Sequence, residues 1–137
     1  MIEYRCFRND DPPHLAEVWR TADLGPLAMQ PMTTAELEAG VFSKPYFDRR
    51  GLIVAVEDDR IVGFAHAGFG PTANQKSIDT SVGSTLLVIV PPHPAENEIG
   101  DQLLARCEHY LQESGSTRFL GGGNDVFRGF YLGLYGG

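Results

Sequence analysis

The run Thr85-Leu86-Leu87-Val88-Ile89-Val90 stops against Pro91-Pro92, and it constrains the fold of this chain more than any other stretch. It is aliphatic and β-branched without polar alternation, which predicts a strand buried on both faces and placed centrally in a sheet. Beyond the prolines, Ile99, Leu103, Leu104, Cys107 and Leu111 recur with helical spacing, and Gly115 suits the left-handed residue that ends such a helix. Thr117-Arg118-Phe119-Leu120 then resumes a strand pattern. Strand, helix and strand in that order make a β-α-β crossover, because a parallel partner is reached only by a connection long enough to carry the chain back along the sheet. The fold must therefore contain a parallel strand pair with a helix on one face.

The rest of the chain adds antiparallel neighbours. Ile2, Tyr4 and Cys6 alternate with Glu3, Arg5 and Phe7, the period-2 pattern of a half-buried strand. Asp11 can cap a helix whose first turn holds Pro12 and whose apolar face is Leu15, Val18, Trp19 and Ala22, with Gly25-Pro26 closing it. Thr33 and Glu36 form a capping box for a second helix running to about Val41, and residues 28–48 are otherwise irregular. Leu52–Val56 and Ile61–Ala67, joined through Glu57-Asp58-Asp59-Arg60, predict a hairpin. Gly70–Gly83, small and polar, predicts a long surface loop. Gly121-Gly122-Gly123 reads as a turn and Asn124–Leu134 as a short terminal helix. The order β, α, α, β, β, β, α, β, α describes one α/β domain over residues 1–137 with a mixed sheet.

Composition narrows the partners. The 137 residues carry a formal charge of −7, which opposes attraction to phosphate backbones and anionic lipid, so neither nucleic acid nor a membrane is expected. No apolar run approaches the roughly 20 residues of a membrane helix. The N-terminus, with Glu3, Arg5, Arg8, Asp10 and Asp11, is unlike a signal peptide, and a cytoplasmic protein with reduced thiols is the expectation. Cys6 and Cys107 are expected to pack as small apolar groups. His14, His66, His93 and His109 lack ligand spacing, which argues against a metal, and His66 reads as a structural strand residue. Gly121-Gly122-Gly123 lacks the Lys-Ser/Thr of a P-loop, and Ser81 and Ser84 lack the context of a hydrolase elbow.

The segment from Val88 to Leu104 places a helix N-terminus, with its free amides, after a buried strand, and such ends bind phosphate. Val90-x-Pro92, Gly100 eight positions beyond that proline, and the pair Leu103-Leu104 together resemble the acetyl-coenzyme A motif of the GNAT N-acetyltransferase superfamily. Ala95 stands where that family has Gln or Arg, and Glu98 where it has its first Gly. Asn124 followed seven residues later by Tyr131 matches a second family pattern. The resemblance implies a mostly antiparallel mixed sheet flanked by helices, with a splayed fourth and fifth strand pair. It implies acetyl-coenzyme A as co-substrate without a metal, and an amine acceptor, small molecule or peptide, that attacks directly. The backbone of Val88 and Val90 would then hold the pantetheine arm, Glu98, Ile99, Gly100 and Asp101 would surround the diphosphate, and Asn124 would touch the pantetheine or substrate. Tyr131 would protonate the leaving thiolate.

Each assignment has a plainer reading. Glu96 and Glu98 also complement the positive end of a helix dipole, and Phe127, Phe130, Tyr131 and Leu134 also make an aromatic core face. A non-enzymatic acyl-coenzyme A-binding or interaction domain is the alternative function. The family continues with two more strands, so the resemblance further leads us to expect a fragment of a longer chain or a self-associating sheet edge.

Overall fold

The computed structural model describes residues 2–22, 32–43, 47–71, 78–115 and 118–121. Strands β1 (Ile2–Cys6), β2 (Leu52–Glu57), β3 (Arg60–Pro71), β4 (Ile78–Ile89) and β5 (Arg118–Gly121) form one sheet in chain order. Each pair is antiparallel except β4 and β5, which are parallel and joined by helix α3 (Glu96–Glu113), as the strand-helix-strand order requires. Helices α1 (Pro12–Thr21) and α2 (Thr34–Leu37) connect β1 to β2. The β2–β3 hairpin turns on Asp58 and Asp59, whose φ angles of 51° and 64° are left-handed, the geometry that matches strand twist in two-residue hairpins.

Alternation along the strands divides the core into two layers. Leu52, Val54, Phe64, Leu87 and Ile89 face α1 and α2 and bury Leu15, Trp19, Met32, Leu37 and Val41. Ile53, Ala55, Ala65 and Ala67 face the other way, and these mostly small side chains let α3 settle close with Ile99, Leu103, Cys107 and Leu111 fully buried.

Several expectations give way to tertiary context. Residues 70–71 and 78–83, read as loop, are strand, because β3 and β4 continue to pair from Gly68 with Ser84 out to Pro71 with Ile78. Pairing with a neighbour replaces the alternation that this small, polar segment lacks. Asp11 does not cap α1 with its side chain; its carboxylate takes two hydrogen bonds from Arg5, at 2.8 and 3.0 Å, and one from the Arg8 amide at 2.8 Å. Thr33 does cap α2, accepting from the Glu36 amide, but the helix passes into a π-helical turn over Glu38–Phe42. Val88 and Leu104, both expected in the core, are the exposed large hydrophobics among the described residues. Cys6 is exposed, whereas Cys107 is buried. Gly25-Pro26 and the terminal segment from Asn124 to Leu134 lie outside the described residues. Among the described residues, no helix is long and apolar enough to cross a membrane.

Candidate active site

Among the described residues, the parallel strands β4 and β5 pair from Val82 with Arg118 to Thr85 with Gly121, and β4 runs on to Ile89. At the same point β4 bulges: on its other side His66 pairs with Leu87 but Ala67 pairs with Thr85, which leaves Leu86 as an extra residue. A bulge re-aims backbone groups and adds local twist. Leu86–Ile89 lie toward the carboxyl end of the parallel pair, the end at which open α/β sheets bind ligands. Nothing in the uniformly aliphatic sequence marks the bulge.

Pro91-Pro92-His93-Pro94-Ala95 leads from the end of β4 into α3. Along the helix, Ile99, Leu103, Cys107 and Leu111 point into the core, so the remaining positions divide between two flanks. One flank faces β1. There Arg106 lies 4.9 Å over the Tyr4 ring, and Tyr4 has its pKa raised by burial first and by the Glu98 carboxylate second. The other flank carries Asn97, Gly100, Asp101 and Leu104. A Cβ placed on Gly100 meets no atom within 4 Å, so the helix there presents open backbone. Leu104, 39% exposed, and Val88, 38% exposed, supply apolar surface on the helix and on β4.

The helix start leaves few amides free. The Ala95 amide donates to His93 Nδ1 at 2.9 Å, the Glu96 amide to the His93 carbonyl at 3.1 Å, and the Ile99 amide to the Ala95 carbonyl at 2.9 Å. Asn97 and Glu98 remain as donors in the first turn. The structure thus joins Val88, Val90, Glu98, Gly100 and Asp101 around one strand-loop-helix junction, with the Ile99 side chain in the core beneath it. Asn124 and Tyr131 lie outside the described residues. Sequence reading missed His93, whose Nε2 lies 3.0 Å from Glu57 Oε1, because the two are far apart in the chain and follow no motif.

These residues fit a diphosphate-bearing thioester. Two helix-start amides suit a phosphate, an open glycine admits close approach, and an apolar wall suits a pantetheine arm. His66 stands apart. It is buried against the Phe47 ring on the α1 face, and burial presses its pKa down to about 3, so it stays neutral and is a weak base. His109 is exposed and bonds Glu113. No group of residues able to hold a metal occurs among the described residues.

A family model described as the acetyltransferase (GNAT) family matches residues 8–134. Among solved structures, a GNAT family acetyltransferase from Brucella melitensis in complex with acetyl-CoA superposes with a TM-score of 0.69 at 17% identity, covering 93% of this chain and 80% of that one. A transcriptional regulator from Bacillus halodurans gives 0.65 at 19%, covering 91% and 83%. An aminoglycoside acetyltransferase from an uncultured soil metagenomic sample gives 0.61 at 12%, covering 91% and 79%. No curated protein matches the chain. The likenesses to solved structures bear on the fold. With the family match over nearly its whole length, the chain belongs to the GNAT acetyltransferase family.

Proposed function

We propose that this protein transfers an acetyl group from acetyl-coenzyme A to an amine by direct attack. The observation that carries the reading is the β4 bulge at Leu86, on the strand that leads directly into the first-turn amides of α3. Bound acetyl-coenzyme A supplies the activated acyl group. The chain positions it: Asn97 and Glu98 offer amides to the diphosphate, Gly100 and Asp101 border it, and the backbone of Val88 and Val90 holds the pantetheine arm against the apolar side chains of Val88 and Leu104. An amide of β4 at or beyond its bulge polarises the thioester carbonyl as charge gathers on its oxygen, the kind of fixed dipole that lowers the barrier most. Asn124 contacts the pantetheine or substrate; as the C–N bond forms and the C–S bond breaks, the amine nitrogen releases a proton to solvent and the Tyr131 hydroxyl gives its proton to the departing thiolate. An amine acceptor is consistent with the aminoglycoside acetyltransferase among the structural neighbours.

Calorimetry with acetyl-coenzyme A and a thiol-release assay over a panel of small amines and peptides test this together. Saturable binding and amine-dependent thiol release are expected, and Tyr131→Phe should lower turnover by about 10²-fold while leaving affinity nearly unchanged. Binding without release on any amine would make the protein an acyl-coenzyme A-binding domain. Turnover unaltered in Tyr131→Phe would remove the acid role.

A further inference from the structure

The segment entering α3 is poor in hydrogen-bond donors. Pro91, Pro92 and Pro94 have no amide, so from Pro91 to Glu96 only His93, Ala95 and Glu96 can donate from the backbone. Two of those three donate to His93, one to its ring and one to its carbonyl. Ala95, at the cap position of α3, has no side-chain acceptor of its own, and no side chain caps the helix directly. The turn is therefore organised from two residues upstream. A ring nitrogen that accepts a hydrogen bond carries no proton, so His93 Nδ1 is bare and the proton sits on Nε2, which donates to Glu57 at 3.0 Å. Glu57 is itself fixed at the end of β2, paired with Arg60 across the hairpin. The ring is mostly enclosed, its side chain 18% exposed. A doubly protonated ring would have two donors and could not hold the Ala95 amide.

Resting on the proposed placement of acetyl-coenzyme A at this helix start, we propose that His93 is the positioning residue for its phosphate site. Its ring and carbonyl set the turn that aims the Asn97 and Glu98 amides, and Glu57 holds the ring in the tautomer that does so. The role belongs to a neutral imidazole that never touches the reacting atoms. The same bond keeps the Glu57 carboxyl below its ordinary range.

Calorimetric affinity for acetyl-coenzyme A, measured on the full chain, tests the proposal together with ¹⁵N spectra of the His93 ring. His93→Phe should weaken binding by about tenfold, with the loss falling on Kd and KM rather than on kcat. In His93→Asn the amide oxygen can accept from the backbone two residues on, as in an Asx turn, and should return affinity to within about threefold of the parent. Glu57→Gln keeps an acceptor for the Nε2 proton and should bind nearly as the parent does. Glu57→Leu should weaken binding and give a ring signal of mixed tautomers. If His93→Phe does not fold, the Asn, Gln and Leu variants carry the test. Equal affinity in parent and Glu57→Leu, an Asn variant that binds as the Phe variant does, or a parent ring protonated at Nδ1 would overturn the proposal. A parent that fails to bind acetyl-coenzyme A would instead remove the placement of the cofactor, and this role with it.

Discussion

Asp11 occupies the position where a helix cap is expected, yet its carboxylate is turned to Arg5 and the Arg8 amide, so two substitutions distinguish the roles. Serine caps helices about as well as aspartate but cannot hold the guanidinium fork. Asp11→Ser should therefore cost about 2 kcal/mol or more in urea unfolding, because it strands Arg5 beside a side chain that is only 3% exposed. A loss below about 0.5 kcal/mol would return Asp11 to a capping role. His66 makes a second case. Burial lowers its pKa from the ordinary 6.5 to about 3, so the unfolded chain takes up a proton that the folded one refuses. Its contribution to stability is complete above pH 6.5 and falls as the pH declines toward 3, since the unfolded state binds more protons throughout that window. The ring should show no titration in NMR spectra down to about pH 4; a midpoint near 6.5 would mean that the ring is hydrated. At this scale the sequence offered residue types without partners. An aspartate before Pro12 looks like a cap whether or not an arginine lies across from it.

Among the elements, legibility follows the strength of the local pattern. The Leu86–Val90 run, the hairpin and α3 are strongly periodic or strongly apolar, and each lies where the sequence places it, within a few residues. The outer halves of β3 and β4 carry no such pattern, since they are held as strand by each other. The bulge at Leu86 is likewise a property of two registers and of no single residue. Gly100 lets the element and the site be separated experimentally. An added Cβ there meets nothing, and helix interiors prefer Ala to Gly, so Gly100→Ala should stabilise the fold by about 0.5–1 kcal/mol. If that open backbone receives the diphosphate, the same change should weaken acetyl-coenzyme A binding several-fold. Higher stability with unchanged affinity would place the cofactor elsewhere. Gly51→Ala is the contrasting control, because its Cβ would lie 2.3 Å from the Ala67 carbonyl and 2.9 Å from the Tyr110 ring. It should therefore unfold at markedly lower denaturant.

For the whole molecule, charge sets a condition that the site itself does not. The protein carries −7 and its proposed co-substrate is a polyanion, so their long-range interaction is repulsive, while the short-range donors at α3 are backbone amides without net charge. The two contributions respond differently to salt. Screening at about 0.15 M ionic strength shortens the reach of the repulsion to about 8 Å, yet leaves hydrogen bonds at the helix start nearly unaffected. The association rate for acetyl-coenzyme A should therefore rise, by a few-fold, between about 10 mM and 150 mM salt, with the dissociation rate changing little. A site built from lysines or arginines would give the opposite slope. The Glu98 carboxylate, exposed and close enough to Tyr4 to raise its pKa, adds one charge to this field. Glu98→Gln should accordingly lower the salt dependence only slightly and alter affinity by less than about twofold. Stopped-flow traces at several salt concentrations measure both quantities. A rate that falls with salt would mean that local cations dominate the encounter, and a large gain in affinity on removing Glu98 would mean that its carboxylate reaches the phosphates.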